Sequence, residues 1–397
     1  MNRLSYCMNV HPGETLADLL RNLAGPVRRV RDLWRGQEPL GLGLWLPSKA
    51  ARAIAEDPGV ADEVRAALAS QGLFAYTVNA FPIGDFHAES VKREVYRPSW
   101  AEVERLDYTR AAAQALAALL PEGERGSLST VPVSYKSFAE ASEPAGAALG
   151  ELAWELERLE AERGVSLALA LEPEPLATLE TCAEAAAFLS EHVFAGSGAA
   201  ALAAAGGPRG ERGEAVLRER IGVCVDTCHL ACAFEDLEQG LATLAAAGVR
   251  VVKAQLSSAL ELRDPAANEA GWRRLLEFAE PRYLHQTRGR GRAGELIAWE
   301  DLDQLDERAR ACELLRTHFH VPLSWTGDEV LGTTRPELER GLAALAAATD
   351  HLEVETYTFS VLPPADRARY HGDVVEMVVA ELRWAEAALR ERGFTCG

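Results

Sequence analysis

Four runs of β-branched and small apolar residues in this chain end in groups able to hold a divalent cation or move a proton. The clearest is Ile221-Gly-Val-Cys-Val-Asp-Thr-Cys-His229, which delivers Asp226 and, three residues later, His229. The run 165–171 leads into Glu172-Pro-Glu174, 249–258 carries Lys253 and Gln255, and 351–359 carries Glu353 and Glu355. One oxygen ligand from each, Glu172, Asp226, Gln255 and Glu355, makes a hard donor set that favours Mg or Mn, with Zn as a further candidate. A cation held this way leaves positions open for the vicinal oxygens of a hydroxy-ketone. It also eases removal of the adjacent carbon-bound proton, which two flanking carboxylates, Glu172 and Glu355, can then exchange. That is isomerase or epimerase chemistry. A lone glutamate is ordinarily a solvated or salt-bridged group, and Glu174 and Glu353, each beside a better-placed acid, are read that way. Recurrence at four successive runs is what points to a site.

Further residues are candidates for substrate contact. His229 is read as a metal ligand or a partner for a substrate hydroxyl, against the alternative of a buried histidine satisfied by a backbone carbonyl. His318 and His320 share one side if 317–323 is extended, which suits a metal or a phosphate oxygen; a solvated turn is the alternative. His285 lies in Glu280-Pro-Arg-Tyr-Leu-His-Gln286, and Asn79 and His87 flank a Pro- and Gly-containing turn after the third strand-like run. Lys136 and Lys253 are the cations best placed for a substrate carboxylate or phosphate, unless Lys253 only neutralises buried acids. No Gly-rich phosphate loop is present, so no nucleotide cofactor is indicated.

These groups need a scaffold that brings strand ends together. Strand-like runs at 4–10, 40–46, 75–81, 127–134, 165–171, 221–225, 249–256 and 351–358 alternate with Ala-, Leu- and Glu-rich helical segments, the pattern of an α/β (β/α)8 TIM barrel. Period-two alternation puts Ala168, Ala170 and Glu172 inside, Leu167, Leu169 and Leu171 against helices, and Val251, Lys253 and Gln255 on one inner face. Residues 1–397 are expected to form a single barrel domain. Within it, 195–214, rich in Gly and Ala, reads as a flexible loop. The stretch 257–334 is too long for an ordinary connection and reads as a lid-like insertion between strands seven and eight.

Composition narrows the function. Forty-eight per cent hydrophobic and 25% charged residues suit a globular enzyme. A net charge of −19, with no basic stripe to offset it, argues against nucleic acid as a partner; the metal-site reading makes a small polar molecule the expected one. Seven cysteines without paired spacing read as free, mostly buried thiols in a reducing compartment. The first residues lack the apolar core of a signal peptide and no apolar run of ~18 residues occurs, so a cytoplasmic location without a membrane span is expected.

The motifs carry a resemblance. Gly222-Val-Cys-Val-Asp-Thr-Cys-His229 resembles the Asp-x-x-His strand-six motif of the xylose isomerase-like barrel superfamily, which includes sugar isomerases, hydroxypyruvate-isomerase-type enzymes and endonuclease IV-type repair enzymes. Over nearly the whole chain the sequence resembles the metabolite-traffic protein EboE family, through Asn9-Val-His-Pro-Gly-Glu14, Thr77-Val-Asn-Ala-Phe-Pro82, Leu171-Glu-Pro-Glu-Pro175, Gln255-Leu-Ser-Ser-Ala-Leu260, His318-Phe-His-Val-Pro-Leu323 and Glu353-Val-Glu-Thr-Tyr-Thr358. The superfamily resemblance implies Glu172, Asp226, Gln255 and Glu355 as metal ligands, the two glutamates as proton-transfer residues, and His229 in contact with substrate. The family resemblance implies a bacterial pathway that makes and exports a metabolite, with other proteins of that pathway as partners. The endonuclease branch has a trinuclear zinc site with extra histidines on strands two, three and seven; here Trp45 and Gln255 stand at strands two and seven. The leading expectation is a metal-dependent isomerase or epimerase of a sugar, cyclitol or related polyol, phosphorylated or not. The alternatives are a metal-dependent hydrolase of a small phosphoester and a non-catalytic metabolite-binding barrel.

Overall fold

The computed structural model describes residues 2–139 and 141–396. Eight parallel strands form the central sheet: β1 Arg3–Tyr6, β2 Leu40–Trp45, β3 Leu73–Asn79, β4 Arg125–Thr130, β5 Ser166–Leu171, β6 Ile221–Asp226, β7 Val251–Leu256 and β13 His351–Val354. They pair in chain order from β2 to β7, then β13, then β1. A parallel bridge between Cys7 and Gly43 brings β1 back to β2. The result is a (β/α)8 barrel with its helices outside, as the strand count anticipated.

The alternation within strands holds where it matters. Leu167, Leu169 and Leu171 are buried in the main apolar core, while Ala168 and Ala170 form a small separate cluster with Cys224 and Val252. One expectation is corrected here. The register shifts between Val223 and Cys224 where they face β7, so Val252, not Val251, joins that inner cluster, and Val251 packs on the main core.

Inside the barrel, Lys253 Nζ donates to Glu353 Oε2 at 2.7 Å, with both side chains almost fully buried. Room for this pair comes from Gly43, where a Cβ would sit 1.4 Å from Glu353 Oε1.

The segment 195–214 is not a flexible loop. It lies in helices Gly196–Ala204 and Gly210–Arg220 and the turn between them. Its small residues serve close packing: Gly198 abuts Gly150 of helix Ser142–Arg163 so tightly that a Cβ on Gly150 would lie 2.0 Å from the Gly198 carbonyl oxygen. At this near contact of two helices only glycine fits.

Between β7 and β13 the chain builds a second sheet from β8 Leu260–Arg263, β9 Thr287–Arg290, β10 Leu296–Trp299, β11 Leu314–Thr317 and β12 Gly332–Thr333. Its order is β10-β9-β11-β8-β12, with antiparallel pairing throughout. The stretch expected as a lid is thus a folded sheet, and the segment leaving β11 carries His318 and His320 into the barrel mouth. Among the described residues no helix is long and apolar enough to cross a membrane.

Candidate metal centre

Asp226 ends β6 and caps the helix Thr227–Cys232, its Oδ1 accepting from the His229 amide at 2.9 Å and from the Ser257 hydroxyl at 2.7 Å. A capping carboxylate bonds the N–H of the third helical residue. The Asp-x-x-His spacing therefore folds His229 back over the acid that caps it, with His229 Nε2 3.8 Å from Asp226 Oδ1. Glu172 follows β5 and Glu355 follows β13, and one oxygen from each of Glu172, Asp226 and Glu355 lies within 4.8 Å of the others. Glu355 Oε1 accepts from both Asn9 Nδ2 and Asn79 Nδ2 at 2.9 Å. Glu172 Oε2 and Asp226 Oδ2 are buried with no hydrogen-bond partner among the described residues. Orphaned buried oxygens of this kind are costly unless a cation or proton satisfies them.

Gln255 lies in register beside both Asp226 and Glu353. Its Oε1 accepts from Cys224 Sγ at 3.3 Å, and its Nε2 has no partner among the described residues. Rotating the amide by half a turn exchanges the two ends, so this position fits an oxygen ligand in one of its two orientations.

Next to the acids stand three imidazoles. His229 Nδ1 is 3.0 Å from the Pro173 carbonyl, His318 Nδ1 2.9 Å from Gln286 Oε1, and His320 Nδ1 2.8 Å from the Glu355 carbonyl. Each Nδ1–H thus donates to an oxygen, which leaves each Nε2 as a lone pair. The His229 Nε2 lies 3.1 Å from that of His318 and 3.4 Å from that of His320. Lone pairs so close repel one another. Their spacing matches the edge of a tetrahedron with metal–nitrogen bonds of roughly 2.0–2.1 Å. Glu174 completes a further candidate set with His229 and His318, and Asp226 one with His229 and His320.

The electrostatics agree with a centre short of positive charge. Burial, together with Glu355 and Asp226, pushes the Glu172 carboxyl well above the usual range. Burial, with Asp226 and Glu353, does the same to Glu355. Burial pushes Glu174 up to about 8. The imidazoles move the other way: burial takes His229 down to about 4 and His318 well below its ordinary value. Without a cation Glu172, Glu174 and Glu355 hold protons, and His229 and His318 are neutral.

Sequence reasoning and structure part at four substrate-contact candidates. Lys253 lies below the acids, wholly buried and paired with Glu353, so it cannot reach a substrate. Burial alone would lower its pKa, but the Glu353 carboxylate more than offsets this and the net shift is upward. Lys136 is not among the residues lining the cleft and is bound to Glu180 and Glu184. His285 is held between Asp301 at 3.0 Å and Glu280 at 3.3 Å and stacks on Phe319. His87 packs its ring against Trp45 and Phe86. Asn79 does line the cleft, and it also orients Glu355. Sequence reasoning missed Asn9 and Gln286, which orient Glu355 and His318, and it read Glu174 as solvated or salt-bridged, whereas that residue is buried beside His229 and His318. Asn9 and Glu174 do lie in motifs singled out above, beside the stronger candidates.

The sequence matches no protein-family model and none of the curated proteins. Several solved structures share its architecture. One is a protein from Anabaena variabilis provisionally assigned as a sugar phosphate isomerase/epimerase, at 12% identity over 99% of this chain and 100% of that one, with a TM-score of 0.51. Another is a xylose isomerase-like TIM barrel protein from Mycobacterium smegmatis in complex with magnesium, at 11% identity over 99% and 98%, with a TM-score of 0.50. A third is an IolI protein with a bound zinc atom, at 11% identity over 99% of each chain and a TM-score of 0.49. The fold is that of the xylose isomerase-like TIM barrels.

Proposed function

We propose that this protein is a metal-dependent isomerase or epimerase acting on a sugar, cyclitol or related polyol. The observation that carries the reading is the convergence of Glu172, Asp226 and Glu355 at the barrel mouth with buried oxygens left unpartnered. Gln255 is the fourth ligand of the set. A divalent cation held there would polarise a substrate carbonyl or hydroxyl and make the neighbouring carbon-bound hydrogen more acidic. Glu172 and Glu355 come from strands on different sides of the mouth and serve as the proton-transfer pair. Asn9 and Asn79 fix one oxygen of Glu355, which leaves the other to take or return a proton. His229 orients a substrate hydroxyl or, with His318 and His320, holds a second ion.

The magnesium of the Mycobacterium smegmatis structure and the assignment of the Anabaena variabilis protein support this reading at the level of the fold. The resemblance to the EboE family adds a setting, a bacterial metabolite pathway whose other proteins are candidate partners. The three facing imidazoles favour a second reading, hydrolysis of a small phosphoester, in which zinc occupies both ligand sets.

The test is incubation of metal-loaded protein with a panel of ketoses, aldoses and inososes in D2O, with NMR detection of deuterium at carbon. The proposal expects exchange that Glu172→Gln and Glu355→Gln each reduce by roughly 10²–10⁴-fold. Release of inorganic phosphate from phosphoesters without any exchange would transfer the assignment to the hydrolase.

A further inference from the structure

We infer that the segment 84–97 is a gate, which swings away from the insertion between β7 and β13 to admit a substrate to the metal centre. This rests on the reading that the cleft takes a small-molecule substrate, and adds the route of entry. The acids are sealed from solvent: Glu172 and Glu355 are each 3% exposed and Asp226 is fully buried. The cleft above them encloses about 60 Å³, against roughly 300–1,000 Å³ for pockets that take small molecules. Proton transfer needs the carbon-bound hydrogen within hydrogen-bond reach of a carboxylate oxygen, and no ring carbon comes that close while the wall stands as it does. Part of the wall therefore moves.

The thin part of the wall is 84–97. Val91 and Val95 line the cleft and also a surface groove of about 810 Å³ behind it, so a single layer of side chains separates the centre from water there. The segment's one regular element is the 3-10 helix Lys92–Tyr96. Asp85 and Lys92 take left-handed backbone, at φ of 55° and 42°, which non-glycine residues adopt only where surrounding contacts hold them. Those contacts are a latch onto the insertion. Lys92 Nζ donates to the Glu280 carbonyl at 3.1 Å, the Tyr283 carbonyl at 2.7 Å and Asp301 Oδ2 at 2.6 Å, which spends its three N–H groups. The Val91 and Lys92 amides donate to the Arg282 carbonyl at 2.7 and 2.9 Å, and Arg282 Nε donates to the Ala88 carbonyl at 2.9 Å. The Lys92 side chain is 31% exposed, so water replaces its bonds as the segment leaves, and opening is reversible.

The experiment is amide hydrogen exchange of wild type and Lys92→Met, read by mass spectrometry on peptides covering 84–97 and 280–286, with β5 and β6 as the reference. The expected result is exchange at least tenfold faster in Lys92→Met at both peptides and unchanged in the two strands. Manganese kinetics give a second readout, because an ion passes the same wall. Uptake and loss to excess chelator should both quicken at least tenfold in Lys92→Met, by the same factor, so that the dissociation constant stays as in wild type. Exchange equal to wild type at 84–97, or faster in β5 and β6 as well, overturns the inference, as does a changed manganese affinity with unchanged uptake. Protein that takes up no manganese removes the metal-dependent reading, and the exchange comparison then decides the gate by itself.

Discussion

Replacing Lys253 by Met tests the electrostatic design beneath the site. The Lys253–Glu353 pair is 2.7 Å long and at most 1% exposed at either side chain, so the substitution strands a carboxylate in the barrel interior. Breaking a buried pair from one side costs about 3–5 kcal/mol, much more than the pair itself contributes over apolar groups of similar shape. With an unfolding entropy of about 2.1 cal/mol/K per residue, a 397-residue chain has roughly 0.8 kcal/mol/K in total, so the cost corresponds to a fall of about 4–6 °C in Tm. Lys253→Met/Glu353→Met removes both charges and is expected to recover most of the loss. Calorimetric scans of wild type and the two variants decide the matter. A single variant within 1 °C of wild type, or a double variant no better than the single, would refute the reasoning. The Lys253 charge also holds down the pKa of Glu172 and Glu355, so the single variant should need a higher pH to take up metal.

Three further outcomes are expected. Because Glu172, Glu174 and Glu355 hold protons that a cation must displace, loading with Mn at pH 7 should release protons, measured as a dependence of calorimetric heat on buffer ionisation enthalpy, and affinity should fall as the pH drops. For the metal-free protein the sign is set by a folded pKa above the unfolded one. The proton on Glu174 stabilises the fold fully below its ordinary 4.5, and that stability is lost as pH rises towards about 8. Glu174→Gln should flatten this slope by up to about 1.4 kcal/mol for each pH unit crossed, as read from Tm against pH. Gly43→Ala places a methyl where Glu353 Oε1 now sits; it should cost at least ~1–3 kcal/mol in urea unfolding, and an unaffected midpoint would contradict the packing described.

How much of this was legible in the sequence depends on chain distance. The run ending at Asp226 could be read because strand, cap and histidine are contiguous, and Glu172 and Glu355 because each closes a strand of the right pattern. Asn9 was not legible as the partner of Glu355, since the two lie 346 residues apart and meet only when the barrel closes. The same holds for Gln286 and His318, brought together between β9 and β11 of the inserted sheet. Lys253 was placed on the correct inner face, but whether it pointed at substrate or at Glu353 depended on Gly43, a residue on the far side of the barrel in sequence. The Gly- and Ala-rich segment at 195–214 misled because small residues serve flexible chains and tightly packed helices alike, and only the neighbour at Gly150 distinguishes them.

The measurement that tests the central claim most directly is metal content per chain by elemental analysis, wild type beside Asp226→Ala, after equilibration with Mg, Mn or Zn and removal of excess. Asp226 belongs to both the carboxylate set and the set with His229 and His320, so one substitution reaches both. The account expects at least one tightly held ion in wild type and its loss in the variant, with one Mg or Mn supporting the isomerase and two or more zinc ions the hydrolase. Wild type that retains no metal under any loading, or a variant that retains as much as wild type, would contradict the account and leave a metal-free binding barrel as the better description.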